Sequence, residues 1–116
     1  EGPQSIRPQA KGVALLPGML LSDEPGLYRT NEYGIRIENM MCVTPAISKN
    51  KGEFLTFETL TLFPYETKLI DFSLLTPSEV EWINNYHQHV FDELSPWIEG
   101  EKSYEWLKNS TKRVLY

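Results

Sequence analysis

The sequence predicts an α+β fold, antiparallel strands followed by C-terminal helices. Three observations carry that reading. Two stretches carry strand patterns, Gly34–Thr44 with apolar and polar residues on opposite faces and Phe54–Phe63 rich in β-branched and aromatic residues. A doubly marked helix start stands at Thr76-Pro77-Ser78-Glu79. The 116 residues, 41% of them hydrophobic and 12% aromatic, suffice for one packed unit and make two independent cores unexpected.

The opening residues Glu1 to Gly12 carry Gly2, Pro3, Pro8 and Gly12 without a hydrophobic period and read as an extended loop. The apolar run VALLPGMLL is broken by Pro17 and Gly18, so a turn is expected to feed a strand over Met19 to Glu24. Glu24-Pro25-Gly26-Leu27 suits a type II turn, because Pro presets the first central φ and Gly tolerates a positive second one. In GIRIENMMCVT, Ile35, Ile37, Met41 and Val43 alternate with Arg36, Glu38, Met40 and Cys42, the pattern of a strand with one partly polar face. Lys49 to Gly52 is a turn signal, and a hairpin to the strand in Phe54–Phe63 is the economical connection. Past Thr76, a stripe of Val80, Ile83, His87, Val90, Phe91 and Leu94 runs at helical spacing until Pro96 stops it. A shorter helix after Gly100, anchored by Tyr104, Trp106 and Leu107, precedes a tail expected to fray to Tyr116.

Eleven basic against sixteen acidic residues give a net charge of -5, which leaves no basic surface to neutralise phosphates; no nucleic acid is expected as a partner. Cys42 is the sole cysteine, so no internal disulfide can form, and with neither a CxxC partner nor an activating base it reads as a small packed residue. No apolar run approaches the roughly 18 residues of a membrane span, so no membrane is expected and a cytoplasmic location is the default. The chain opens without a methionine or a charged-then-apolar leader. Ser22, Ser73 and Ser78 lie outside any nucleophile-elbow context.

Glu24 and Glu38 are the informative residues. If the strands flanking them pair antiparallel about a connection centred on Asn31, the two carboxylates face each other, with Cβ atoms about 4.5–5.5 Å apart. Such a pair repels unless a proton or cation lies between. Carboxylates suit hard divalent ions, and a two-metal site commonly uses one carboxylate as a bridge. Arg36, two residues before Glu38, shares its face and offers a rigid fork to orient carboxylates. The ordinary alternative is a solvated or salt-bridged Glu pair, Glu38 with Arg36. Two ligands do not complete a catalytic site, which as a rule needs three. His87 belongs to the apolar stripe and reads as a hydrogen-bonded core residue, and His89 as solvent-facing. The aromatic set Trp82, Tyr86, Trp97, Tyr104 and Trp106 reads as packing of the helices against the sheet or a second subunit.

On these residues the sequence resembles a known family. LLPGMLLSDEPGLY followed by GIRIEN is similar to the closing metal-binding strands of the aminopeptidase P family, metalloenzymes of the pita-bread fold. FLTFETLTLFPYETKLID and EWINNYHQHV resemble the C-terminal extension of its long cytosolic-type members. The resemblance implies the closing part of a pita-bread fold, with residues 1–70 as the last strands of the catalytic domain and 71–116 as a helical extension. It implies that Glu24 binds one metal ion and also acts as a catalytic proton carrier toward the leaving proline nitrogen, that Glu38 bridges both ions, and that Tyr28 and Arg36 brace these ligands. The implied cofactors are two divalent ions, Mn2+ foremost, which make hydroxide available near neutral pH and polarise the scissile carbonyl. The implied substrates are peptides with proline in the second position, cut before that proline, and the implied assembly is a homodimer.

The family pattern also has two Asp ligands, a His ligand and catalytic histidines earlier in the chain, and none stands here. Glu1-Gly2-Pro3 resembles the residues after the histidine of a HEG-type motif. The expectation is therefore a C-terminal fragment with two of five ligands, inactive by itself. A non-catalytic pita-bread interaction module, a dimerisation segment, and a prolidase or creatinase relative are the alternatives. Retention of both glutamates counts against the first, and the C-terminal extension against the last.

Overall fold

The structure is a computed structural model of the chain, and it describes residues 4–6, 12–47 and 54–115. It is α+β, with antiparallel strands followed by C-terminal helices, as the sequence predicts. Five strands, β1 (Leu20–Asp23), β2 (Gly26–Arg29), β3 (Tyr33–Arg36), β4 (Asn39–Pro45) and β5 (Leu55–Thr59), precede helices α1 (Pro77–Leu94) and α2 (Glu101–Ser110). The predicted turn at Lys49 to Gly52, most of the opening loop and Tyr116 lie outside the described residues.

Two compact units divide the chain, residues 1–61 and 62–116. Leu62 and Tyr65, near the start of the second unit, pack on its helical core.

In the first unit β4 lies between β1 and β5, both antiparallel to it, while β2 and β3 form a separate hairpin. The strand expected to run unbroken from Gly34 to Thr44 is thus divided between two sheets. Ile37 N–H donates to Pro25 O at 3.1 Å, but Pro25 has no N–H with which to return the bond. The ladder lapses there and resumes on either side. The type II turn predicted at Glu24–Leu27 does not form. Gly26 has no positive φ and opens β2, so the chain runs through Pro25 instead of reversing at it. The reversal is at Asn31, whose φ of 61° is one of the left-handed values that Asn tolerates. Val43 and Leu21 are buried, whereas Ile35 and Ile37, expected on the apolar face, stay about half exposed.

In the second unit α1 starts where the sequence places it. Thr76 and Glu79 form a reciprocal capping box with Pro77 in the first turn, and the helix ends before Pro96, which enters a single 3₁₀ turn, Ser95–Trp97. Val80, Ile83, His87 and Val90 are buried on its inner stripe, together with Asn84 and Tyr86. Tyr86, Val90 and Leu107 form the core, with Leu62, Tyr65, Phe91, Leu94 and Ile98 against it. Of the anchors predicted for α2 only Leu107 is buried; Tyr104 packs edge-on against Phe91, and Trp106 tilts against Phe63. The tail does not fray as expected. Asn84 grips Val114 in both directions, Nδ2 donating to its carbonyl at 3.0 Å and Oδ1 accepting from its N–H at 2.8 Å.

Candidate metal centre

One register runs through both ladders of the first unit. Leu20 pairs with Cys42, Asp23 with Asn39, Gly26 with Arg36 and Arg29 with Tyr33, every pair equidistant along the chain from Asn31. Glu24 and Glu38 are the pair left between Asp23–Asn39 and Pro25–Ile37. The ladder bonds Val43 N–H to Met19 O (2.8 Å) and Ile37 N–H to Pro25 O (3.1 Å) fall on odd-numbered residues. Even-numbered pairs are then the non-hydrogen-bonded ones, in which Cα atoms stand about 4.5 Å apart and side chains approach closest. The chain therefore forces two like charges together at its Glu24–Glu38 pair.

The cation between them is Arg36. Its Nη1 lies 2.7 Å from Glu24 Oε2 and 3.8 Å from Glu38 Oε2. Its Nε donates to the Tyr28 hydroxyl at 2.7 Å. That hydroxyl first, then the charge of Glu24 and less strongly that of Glu38, hold the guanidinium above even its usual high pKa. The other oxygen of Glu24 accepts from Ser22 Oγ at 2.7 Å. Both carboxylates open on a cleft of about 460 Å³ lined by Gln4, Leu20, Leu21, Ser22, Glu24, Arg36, Glu38 and Met40. Most of these are even-numbered, as alternation along a strand requires.

Sequence reasoning singled out Glu24, Glu38, Arg36 and Tyr28, and all four lie on this face. It missed Ser22, although a hydroxyl two residues before a strand carboxylate shares its face by the same alternation. The histidines belong to the other unit. His87 is fully buried; its Nε2 accepts from Tyr65 N–H at 3.0 Å, and burial lowers its pKa. His89 is exposed, 4.0 Å from Glu93. Cys42 is half-buried, its thiol 3.6 Å from the Val43 carbonyl. Among the described residues no group of three or more His, Cys, Asp or Glu side chains is arranged to hold a metal ion. In donor chemistry Glu24 and Glu38 fit a hard divalent ion: both are carboxylates, and both lie within ion-pair distance of one positively charged nitrogen of Arg36.

Comparison with known proteins is consistent over both halves. Residues 1–45 match the model of metallopeptidase family M24, and residues 53–114 that of the C-terminal region of this peptidase family. Aminopeptidase P2 of Arabidopsis thaliana is 44% identical over 97% of this chain and 16% of its own length. Xaa-Pro aminopeptidase 1 of Dictyostelium discoideum is 44% identical over 97% of this chain and 19% of its own. A crystal structure of X-prolyl aminopeptidase from Caenorhabditis elegans, described as a cytosolic enzyme with a di-nuclear active site, matches with a TM-score of 0.81 at 37% identity, over 90% of this chain and 18% of that one. The chain thus spans under one fifth of these relatives. Among the described residues no helix is long and apolar enough to cross a membrane.

Proposed function

Since the chain belongs to the M24 metallopeptidase family, we propose that it is the part of an Xaa-Pro aminopeptidase that contributes two glutamate ligands to a dinuclear metal centre. The observation that carries this reading is that Glu24 and Glu38 share one Arg36 nitrogen, at 2.7 and 3.8 Å, and line one cleft. Glu24 would hold one ion and Glu38 would serve as a ligand to the pair. Two divalent ions, Mn2+ in this reading, would supply Lewis acidity there. The chain's own side chains do the rest. Ser22 Oγ fixes the rotation of the Glu24 carboxylate. Arg36 offsets the repulsion between the two glutamates, and Tyr28 fixes Arg36 in turn. Glu24, as a carboxylate, takes a proton from the water that attacks the scissile carbonyl and gives it to the proline nitrogen as the bond before proline breaks.

The substrates are peptides with proline in the second position, and the enzyme works in the cytoplasm, as its Caenorhabditis relative is described to do. The helical region supports a homodimer, since Trp82, Trp97 and Trp106 are 50%, 83% and 51% exposed. By itself the 116-residue chain is inactive, because a dinuclear site needs more ligands than two carboxylates. The test is metal content and peptide cleavage in the full protein carrying this chain. Glu38→Gln is expected to lower both and His89→Ala to leave both intact. Equal loss in the two variants would show that the centre lies elsewhere.

A further inference from the structure

Gly26 and Gly34 sit inside strands, where glycine weakens pairing and leaves no side chain to pack. Neither has a positive φ that would call for glycine. The reason is Tyr28. It pairs across the hairpin with Gly34, while Gly26 pairs with Arg36, so all four lie on the face that carries the two glutamates. A Cβ at Gly34 would stand 2.7 Å from Tyr28 Cδ1, and one at Gly26 2.8 Å from its Cε2 and Oη. The phenol ring therefore lies flat over both backbones, in space that any other residue would fill. Lying there, its hydroxyl meets Arg36 Nε at 2.7 Å, and Arg36 reaches Glu24 at 2.7 Å.

We propose that Gly26 and Gly34 are positioning residues for the metal centre, a two-glycine seat that holds Tyr28 flat so that its hydroxyl aims Arg36 between Glu24 and Glu38. The proposal rests on the metal-centre reading given above. A methyl group at either glycine lifts the ring. Tyr28 is 62% exposed, so the displaced ring can turn out toward solvent. What is lost is the acceptor on Arg36 Nε and with it the aim of the guanidinium. Residues that orient metal ligands in this indirect way typically alter affinity about 10- to 100-fold when disturbed.

The experiment is a double-mutant cycle in the full protein carrying this chain. It is read by calorimetric titration with Mn2+, by the thermal midpoint of the metal-free protein, and by the Arg36 Nε–H NMR signal, whose exchange the Tyr28 hydroxyl slows. Gly34→Ala is expected to weaken Mn2+ binding about 10-fold or more and to speed Nε–H exchange. The midpoint should hold or rise, since alanine is the better strand residue of the two. In a Tyr28→Ala background the same substitution should change Mn2+ affinity by less than about twofold, because the ring it displaces is absent. Gly26→Ala should repeat both results. An Arg36 signal and Mn2+ affinity unchanged by Gly34→Ala overturn the seat, and so does an equal loss with and without the Tyr28 ring. Glu38→Gln binding Mn2+ as the unaltered protein does would instead overturn the metal reading, while the metal-free Arg36 signal still decides the seat.

Discussion

Asn84→Ala tests the clasp on the C-terminal tail. Asn84 is 5% exposed and makes two hydrogen bonds to Val114, at 3.0 and 2.8 Å. A neutral hydrogen bond contributes about 1 kcal/mol net, so losing both should cost about 2 kcal/mol of local stability. At about 1.4 kcal/mol per factor of ten, that is roughly a 30-fold loss of protection at the Val114 amide. Arg113 also reaches back to Glu81, at 2.6 Å, but both side chains are more than half exposed, and solvent and salt screen the pair. Arg113→Ala should therefore cost no more than about fivefold, the upper scale of an exposed ion pair. The assay is hydrogen exchange followed by mass spectrometry on peptides from the C-terminal tail and from α1. If Asn84→Ala leaves Val114 protection unchanged, or opens α1 as much as the tail, the clasp is not what holds the tail down.

Two further outcomes follow from the helical unit. His87 faces the titratable side chains Tyr65 and Tyr86 and must stay neutral to accept from Tyr65 N–H. Burial places its folded pKa below the ordinary value near 6.5, so the unfolded chain takes up the proton first. The stabilisation is accordingly complete above about pH 6.5 and is lost as pH falls through the lowered folded value. Protection of the Tyr65 amide, corrected for intrinsic exchange, should drop on acidification and should cease to do so in His87→Gln; identical profiles would remove His87 from the explanation. Leu107→Ala, at a fully buried core position, should cost about 2–5 kcal/mol in urea unfolding, and Leu115→Ala, 81% exposed, no more than about 0.5. Comparable losses at the two positions would contradict the core assignment.

The parts of the fold legible in the sequence are those written in local chemistry. The Thr76–Glu79 box and Pro96 delimit α1 by hydrogen bonding and by a missing donor, which need no tertiary context. The facing of Glu24 and Glu38 followed from arithmetic about Asn31, since antiparallel pairing conserves the sum of partner positions. The misreadings arose where one residue served two ends. Pro25-Gly26 carries a turn signal, yet the proline only interrupts a ladder and the glycine makes room for a ring. The Asn84 clasp joins residues far apart in sequence, and no local pattern announces it. The aromatic residues of α2 read as anchors, but a ten-residue helix touching its unit along one line buries Leu107 and leaves Trp106 outside.

The shared register has a bearing on how such a chain can change length. Since both carboxylates are counted from the hairpin tip, an insertion between Thr30 and Glu32 lengthens only the loop and leaves their encounter untouched. A single residue added to one arm, anywhere from Pro25 to Arg29 or from Tyr33 to Ile37, swings one acid to the reverse side of the ribbon and separates the two. Natural variants of this segment should thus vary in size at the tip and hold the arms to matched lengths.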